Sequence, residues 1–160
     1  MRIKILLTIF LIFLISYYSC DSEGNDMKKL TKKETVLKFV EAINNANIEQ
    51  LENLMADDHI FVDSGDGKYQ GKENMKQGWI GYFSMFPDYK IEIIDMTEND
   101  SLIGIFGYAS GTCKGSKDEM NSNYYRTPAS WKVIVKHGKI KHWQVYCESK
   151  GFEEIVEKNK

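Results

Sequence analysis

The sequence has no excess of positive charge and no apolar run long enough to cross a bilayer comfortably. Its 160 residues contain 21 Lys and Arg against 23 Asp and Glu, for a formal net charge of -2. Without a basic excess to attract phosphate backbones, nucleic acid is not an expected partner. The apolar run from Ile5 to Ile15 is shorter than the roughly 20 apolar residues that a transmembrane helix needs. The length and the composition, 42% hydrophobic and 28% charged residues, indicate one globular domain.

The first twenty residues have the pattern of an export signal. Arg2 and Lys4 precede the apolar run, and SYYSC follows it, ending in Ser19 and Cys20. This ending resembles the lipobox of bacterial lipoproteins, a resemblance that implies cleavage before the cysteine and a lipid on its thiol. We therefore expect a lipoprotein signal peptide over 1–19, a lipidated Cys20 with a polar tether over 20–30, and one domain over 31–160, anchored outside the cytoplasm in the cell envelope. An uncleaved anchor and a plain secretory signal are the alternatives.

Three helices are predicted in the first part of the domain. Thr31 and Glu34 form a capping box, and apolar residues follow at helical spacing. Asn47 can cap a second helix. A third helix is predicted from Lys72 to Phe86, and Pro87 ends it.

Strand patterns lie between the second and third predicted helices and again after the third. A short strand from His59 to Asp63 and a brief KYQG strand flank the turn SGDG, ahead of the third helix. Four longer strands are predicted at Tyr89 to Met96, Leu102 to Cys113, Tyr124 to Lys136 and Ile140 to Glu148. Helices followed by a meander of antiparallel strands predict an α+β fold.

His137 and Gly138 predict a two-residue hairpin turn between the last two strands. A constant register from this turn places Val135 opposite Ile140 and assigns alternate residues to opposite faces. One predicted face carries Trp131, Val133, Val135, Ile140, His142, Gln144 and Tyr146, and the other carries Ile134, Trp143, Val145 and Cys147. Both faces are too apolar for a sheet with one face in water. We therefore expect one face on the helices and the other in a homodimer.

Three stretches within Leu30 to Glu154 have the pattern of a known family: HIFVDSGDGKYQGKENM, WIGYFSMFPDYKIEI and the closing GKIKHWQVY. Together they resemble the SnoaL-like branch of the nuclear-transport-factor-2-like fold. The resemblance implies a cone in which three N-terminal helices pack on a curved, mainly antiparallel sheet around an apolar cavity. Known members include polyketide cyclases, ketosteroid isomerase, limonene epoxide hydrolase and proteins without demonstrated activity.

The resemblance also implies candidate site residues. Asp63 stands where ketosteroid isomerase has its general base, so Asp63 is the first catalytic candidate, with His142 as the second. Cyclases commonly read HWD in the closing strand, but here the motif reads HWQ, and Gln144 takes up no proton at neutral pH. The expected ligand contacts are Trp79, Phe83, Trp131, Gln144 and Tyr146. No cofactor is expected.

Each candidate also has a purely structural interpretation. Asp63 can cap the SGDG turn, and His142 can be a hydrogen-bonded core histidine. His59 beside Asp57 and Asp58 suggests a metal site, but no second cluster completes a coordination shell, so no metal is expected.

Three functions therefore remain open. The first is an envelope lipoprotein that binds a small, largely apolar molecule in its cone. The second is an isomerase, cyclase or hydrolase with Asp63 as base and His142 or Tyr146 as donor. The third is a protein-interaction module without catalytic activity.

The cysteines Cys113 and Cys147 are expected to be free thiols. They end the second and fourth long strands, and the third strand should lie between them. Positions one strand removed are roughly 10 Å apart, beyond the ~7 Å between Cα atoms that a disulfide can bridge.

Overall fold

The computed structural model of the protein describes residues 30–100, 102–114 and 123–159. This part of the chain forms four helices, α1 (Lys32–Asn44), α2 (Ile48–Leu54), α3 (Lys72–Met85) and α4 (Lys150–Lys158). It also forms six strands, β1 (Met55–Val62), β2 (Lys68–Gln70), β3 (Lys90–Glu98), β4 (Ile103–Thr112), β5 (Tyr124–Lys136) and β6 (Lys139–Cys147). The predicted signal peptide over 1–19, the predicted lipidation site Cys20 and the tether as far as residue 29 lie outside the described residues. None of the described helices has the length and apolar character needed to span a membrane.

The helix starts follow the capping signals in the sequence. The Thr31 hydroxyl accepts the backbone N–H of Glu34 at 3.1 Å, and the Glu34 carboxylate accepts the N–H of Thr31 at 2.8 Å, which confirms the capping box. The Asn47 side chain accepts the N–H of Gln50 at 3.0 Å and caps α2. These bonds satisfy donors at the helix starts that have no partner within the helix.

The six strands form one mainly antiparallel sheet, as predicted. Their order is β2-β1-β6-β5-β4-β3, and the β1–β6 pair is parallel while the other pairs are antiparallel. The side chain of Asn44 at the end of α1 exchanges two hydrogen bonds with the backbone of Ile91 in β3, at 2.7 and 2.9 Å. The first three helices cover one face of the sheet, with Val36, Phe39, Val40, Ile43 and Leu51 buried between the two layers. The α+β prediction is confirmed.

The predicted register of the β5–β6 hairpin is wrong beyond Ile140. Lys136 pairs with Lys139 and Val135 with Ile140, as expected, but Ile134 then pairs with His142. Lys141 is thus an extra residue in β6 that leaves the ladder as a β-bulge. A one-residue shift exchanges the two faces of a strand, so every later side chain of β6 lies on the face opposite to the predicted one.

The bulge places Trp143 in the core. Trp143 is 1% exposed, with its ring 5.0 Å from Phe39 and 6.4 Å from Trp131, centroid to centroid. The predicted register would have buried His142 at this level. Burying an indole removes much more apolar surface from water than burying an imidazole, and it leaves fewer polar atoms to satisfy. His142, Gln144 and Tyr146 consequently lie on the outer face of the sheet, away from the helices.

Two elements differ from the prediction in extent. Strand β1 begins at Met55 rather than His59, because Met55 pairs with Ile140 ahead of an irregular stretch. Helix α4 was not predicted, although Phe152, Ile155 and Val156 have the spacing of one helical face and pack partly against the core.

Candidate functional site

A cavity of about 480 Å³ lies between α3, the inner face of the sheet and the start of α4. Aromatic residues are the most numerous class in its wall. We use the name aromatic lining for the eight side chains that form this part of the wall: Phe61, Tyr69, Trp79, Tyr82, Tyr89, Tyr125, Trp143 and Phe152. Polar groups interrupt the wall on the side of Asp63, Ser64 and Asn74 and on the side of Glu148 and Ser149.

Three tyrosines of the aromatic lining lie close together. The hydroxyls of Tyr82 in α3 and Tyr125 in β5 are 2.9 Å apart and share a hydrogen bond, and the Tyr82 and Tyr89 rings meet edge to face at 4.9 Å. Burial raises the pKa of Tyr125 to about 12 and raises the pKa values of Tyr82 and Tyr89 well above the usual value. All three hydroxyls are therefore neutral at physiological pH. Among the described residues, the Tyr89 hydroxyl has no hydrogen-bond partner, so it can bond to a ligand.

Asp63 follows β1 and lines the cavity while also holding the next turn. Its Oδ1 atom accepts the N–H of Gly65 at 2.9 Å and the N–H of Gly67 at 2.7 Å. One carboxylate oxygen is thereby committed to the SGDG turn, as an Asx-type cap. The other oxygen has no hydrogen bond from the described residues. Asp63 thus caps the turn, as its structural interpretation predicted, and also lines the cavity.

The start of α4 closes another side of the cavity. The ring of Phe152 lies 5.3 Å from Phe86 and 5.5 Å from Tyr125, centroid to centroid. The Glu148 carboxylate accepts the backbone N–H of Lys150 at 2.7 Å. The chain after β6 therefore supplies both an aromatic ring and a fixed carboxylate to the wall.

The predicted site residues do not all meet at this cavity. Asp63 and Trp79 line it. Phe83 and Trp131 are buried behind the wall, where Phe83 stacks on Trp79 at 5.3 Å. The bulge at Lys141 turns His142, Gln144 and Tyr146 to the other face of the sheet. The face assignment on which their catalytic and ligand-binding roles depended is therefore wrong.

His59 lies in the core and points away from the two acids beside it. It is 0% exposed, and its Nδ1 atom is 2.8 Å from the carbonyl oxygen of Ile140. Burial lowers the pKa of His59 to about 4. Asp57 and Asp58 instead pair with Lys72, at 2.5 Å, and with Lys141. Within 30–100, 102–114 and 123–159 no group of acidic, histidine and cysteine side chains is arranged to hold a metal ion.

The two described cysteines are free thiols, as predicted from the strand order. Cys113 is buried, and Cys147 lines the cavity rather than the outer face where the predicted register had placed it. Burial raises the pKa values of both thiols. Both are therefore protonated and poorly nucleophilic at neutral pH.

Sequence reasoning missed much of the aromatic lining. Tyr82 lies in the predicted third helix, but its partner Tyr125 gave no signal, because their contact joins positions 43 residues apart. Phe152 could have been found from the amphipathic pattern of α4. Val145 and Cys147, which also line the cavity, could not have been found from the sequence, because only the bulge places them on the inner face.

The helices, the sheet and the cavity define a nuclear-transport-factor-2-like fold. Solved structures agree with this class. A protein with a ketosteroid isomerase-like fold from Catenulispora acidiphila, in complex with trimethylamine, is 20% identical, with a TM-score of 0.63 over 72% of this chain and 86% of that one. An LEH-like epoxide hydrolase from M. tuberculosis is 11% identical, with a TM-score of 0.64 over 78% and 88% of the two chains. At these identities the likeness concerns the fold alone.

The family model for the SnoaL-like domain matches residues 36–143, which is more than half of the sequence, so the chain belongs to the SnoaL-like family. A protein named as a SnoaL-like polyketide cyclase from Shewanella denitrificans has a TM-score of 0.68 at 12% identity, over 79% of this chain and 96% of that one. No curated protein matches the sequence.

Proposed function

We propose that this protein is an envelope lipoprotein whose SnoaL-like cavity binds a small, largely apolar molecule. The observation that carries the proposal is the cavity of about 480 Å³ with its aromatic lining. Small-molecule sites typically have volumes of about 300–1,000 Å³ and combine apolar walls with a few polar groups. The tyrosine hydroxyls, Asp63 and Glu148 provide such groups, so a bound molecule can be oriented as well as enclosed.

Catalysis is the second candidate function. Asp63 and the Tyr82–Tyr125 hydroxyl pair line one cavity, which could place a base and a hydrogen-bond donor around one substrate. The donors first proposed for this reaction, His142 and Tyr146, lie on the outer face. An isomerase or hydrolase would therefore have to use a tyrosine of the lining as its donor. Because one Asp63 oxygen is committed to the turn, ligand binding is the better-supported function.

The lipid anchor and the homodimer are parts of the same proposal that rest on other features. The anchor rests on the Ser19–Cys20 junction after the apolar run. The homodimer rests on the outer face of the sheet, where Phe106 and Tyr146 pair in register with Ser130 between them. These two rings are 49% and 48% exposed, which favours burial against a second copy.

The interaction-module alternative is less well supported, because the cone contains an open cavity rather than a filled core.

A cavity-filling variant tests ligand binding without weakening the fold. Gly78 in α3 lines the cavity, and a Cβ added there lies 3.7 Å from Met75 Cε, an ordinary contact. Gly78→Leu should therefore fill part of the cavity, and it should favour the helix because leucine has the higher helix propensity. Gly81→Leu is the matched control, since Gly81 lies in the same helix and a Cβ there has no neighbour within 4 Å.

The probe is the neutral fluorophore N-phenyl-1-naphthylamine, whose emission rises in apolar surroundings. Wild type and Gly81→Leu should bind it with similar affinity, whereas Gly78→Leu should bind it at least about tenfold more weakly, because the lost contacts and volume amount to more than about 1.4 kcal/mol. Equal binding by all three proteins, or no binding by wild type, would contradict the proposal.

A further inference from the structure

The cavity wall carries negative charge that no basic residue of the wall offsets. Asp63 and Glu148 line it, and the described lining residues include no Lys, Arg or His. Two basic residues of α3, the helix that carries Trp79, are paired with acids outside the cavity wall. Lys76 binds Glu52 at 2.7 Å, and Lys72 binds Asp57 at 2.5 Å. An anionic ligand would therefore find two carboxylates and no described counter-charge.

Both carboxylates are held in place by backbone N–H groups. The turn after β1 holds Asp63 through the two bonds described above, and Lys150 N–H holds Glu148. Fixed charges need little reorganisation to stabilise a bound cation, so they contribute to affinity without the ordering cost of mobile side chains.

The aromatic lining is a second attractive feature for a cation. The face of an aromatic ring carries the negative part of its quadrupole and attracts a cation within about 6 Å of the ring centre. Eight such rings surround one cavity, so a cation inside it would be near several rings at once. The tyrosine oxygens add further partial negative charge.

The same wall selects among cations. A primary ammonium group carries three N–H donors, and burying it without acceptors is costly. The rings of the aromatic lining offer no acceptors except the four tyrosine hydroxyls, and two of these already share a hydrogen bond. An ammonium group whose hydrogens are replaced by alkyl groups has little or no donor capacity to satisfy, and its alkyl groups make favourable contacts with the rings.

We propose that the ligand of this cavity carries a trialkyl or quaternary ammonium group, bound among the rings of the aromatic lining with Asp63 and Glu148 as counter-charges. This inference rests on the proposed ligand-binding function and specifies the chemical class of the ligand. The ammonium group accounts jointly for the aromatic wall, the two fixed carboxylates and the absence of basic residues from the described lining.

The test compares a cation with a neutral molecule of the same shape. Phenyltrimethylammonium and tert-butylbenzene differ mainly in the charged nitrogen, and each can be titrated into full-chain wild-type protein against N-phenyl-1-naphthylamine. The cation should bind at least about tenfold more tightly than the neutral isostere. If the fluorophore binds but tert-butylbenzene binds as tightly as the cation, the ammonium proposal is wrong and ligand binding stands. If none of the three binds, both proposals are wrong.

Two substitutions test the groups named in the proposal. Tyr69 is 47% exposed, so Tyr69→Leu removes an aromatic face at a position where folding is not at risk. Glu148→Gln removes one charge, and Glu154→Gln is its control, because it removes the same charge outside the cavity, from a side chain that is 69% exposed. Tyr69→Leu and Glu148→Gln should each reduce the preference for the cation over tert-butylbenzene by about threefold, whereas Glu154→Gln should keep the wild-type preference. A preference that stays at the wild-type value in both variants would overturn the proposal.

Discussion

His59 should make the stability of this protein depend on pH between about 6.5 and 4. The imidazole is fully buried, and its Nδ1 atom donates to the Ile140 carbonyl oxygen. Its Nε2 atom has no partner within the described part of the chain, so a proton added there would place an unpaired charge in the core. Burial therefore lowers the pKa of His59 from 6.5 to about 4.

The sign and size of the effect follow from proton linkage. Below pH 6.5 His59 is protonated in the unfolded chain, whereas in the folded protein it stays neutral until the pH reaches about 4. The contribution of His59 to the free energy of unfolding is thus complete above pH 6.5. It decreases as the pH falls from 6.5 to about 4 and is lost below about pH 4. Between pH 6.5 and 4, at about 1.4 kcal/mol per pH unit, the loss amounts to about 3 kcal/mol. This is a large part of the about 5–15 kcal/mol that stabilises a typical domain.

Urea unfolding at pH 7 and pH 4.5 measures the loss in wild type and in two variants. His59→Gln replaces the imidazole with a neutral amide that can still donate to Ile140, so it should remove about 2–3 kcal/mol of the pH dependence. His137→Asn is the control, because His137 is exposed in the β5–β6 turn at a φ of 52°, a conformation that asparagine tolerates. This control should keep the full loss.

Other titrating groups do not obscure the comparison. The pKa values of Asp57 and Asp58 are lowered from 3.8 by hydrogen bonds to Lys72 and Lys141, so these acids act at lower pH than His59. Burial also lowers the pKa of His142, but His142 is present in every protein compared. If wild type and His59→Gln lose the same stability between pH 7 and pH 4.5, the reasoning about His59 is refuted.

Three further predictions concern the anchor, the thiols and the dimer. Cys20→Ala should abolish metabolic labelling with palmitate and release the protein from membranes, and equal labelling of wild type and variant would exclude a lipid on Cys20. In Cys20→Ala protein without reductant, thiol titration should count two groups after denaturation and fewer in the folded state, because Cys113 is buried; a count of zero after denaturation would contradict the free thiols. Tyr146→Lys should shift the mass measured by light scattering from dimer to monomer, because it places a charge on the outer face of the sheet, where Phe106 is also exposed. A monomeric wild type would refute the homodimer.

The local features of the fold could be read from the sequence. The caps at Thr31 and Asn47 and the turn at His137 and Gly138 depend on hydrogen bonds or backbone angles within a few residues. The residue types at these positions are therefore sufficient to predict them. The order of helices and strands, and with it the α+β class, followed from the same local patterns. The resemblance to the SnoaL-like family, confirmed by the match to residues 36–143, supplied the cone.

Which side chains face the cavity was decided by tertiary structure. The alternating pattern of β6 does not decide which side chains face the core, because two sets alternate along the strand. One set is His142, Gln144 and Tyr146, and the other is Trp143, Val145 and Cys147. The choice between them depends on one bulge at Lys141, which places Trp143 beneath Phe39, a residue more than 100 positions earlier in the chain. The Tyr82–Tyr125 hydrogen bond likewise joins distant elements. The sequence by itself determined most of the elements and their class, whereas the free energy of burying Trp143 in a core built by distant segments determined the register, the cavity wall and the candidate site.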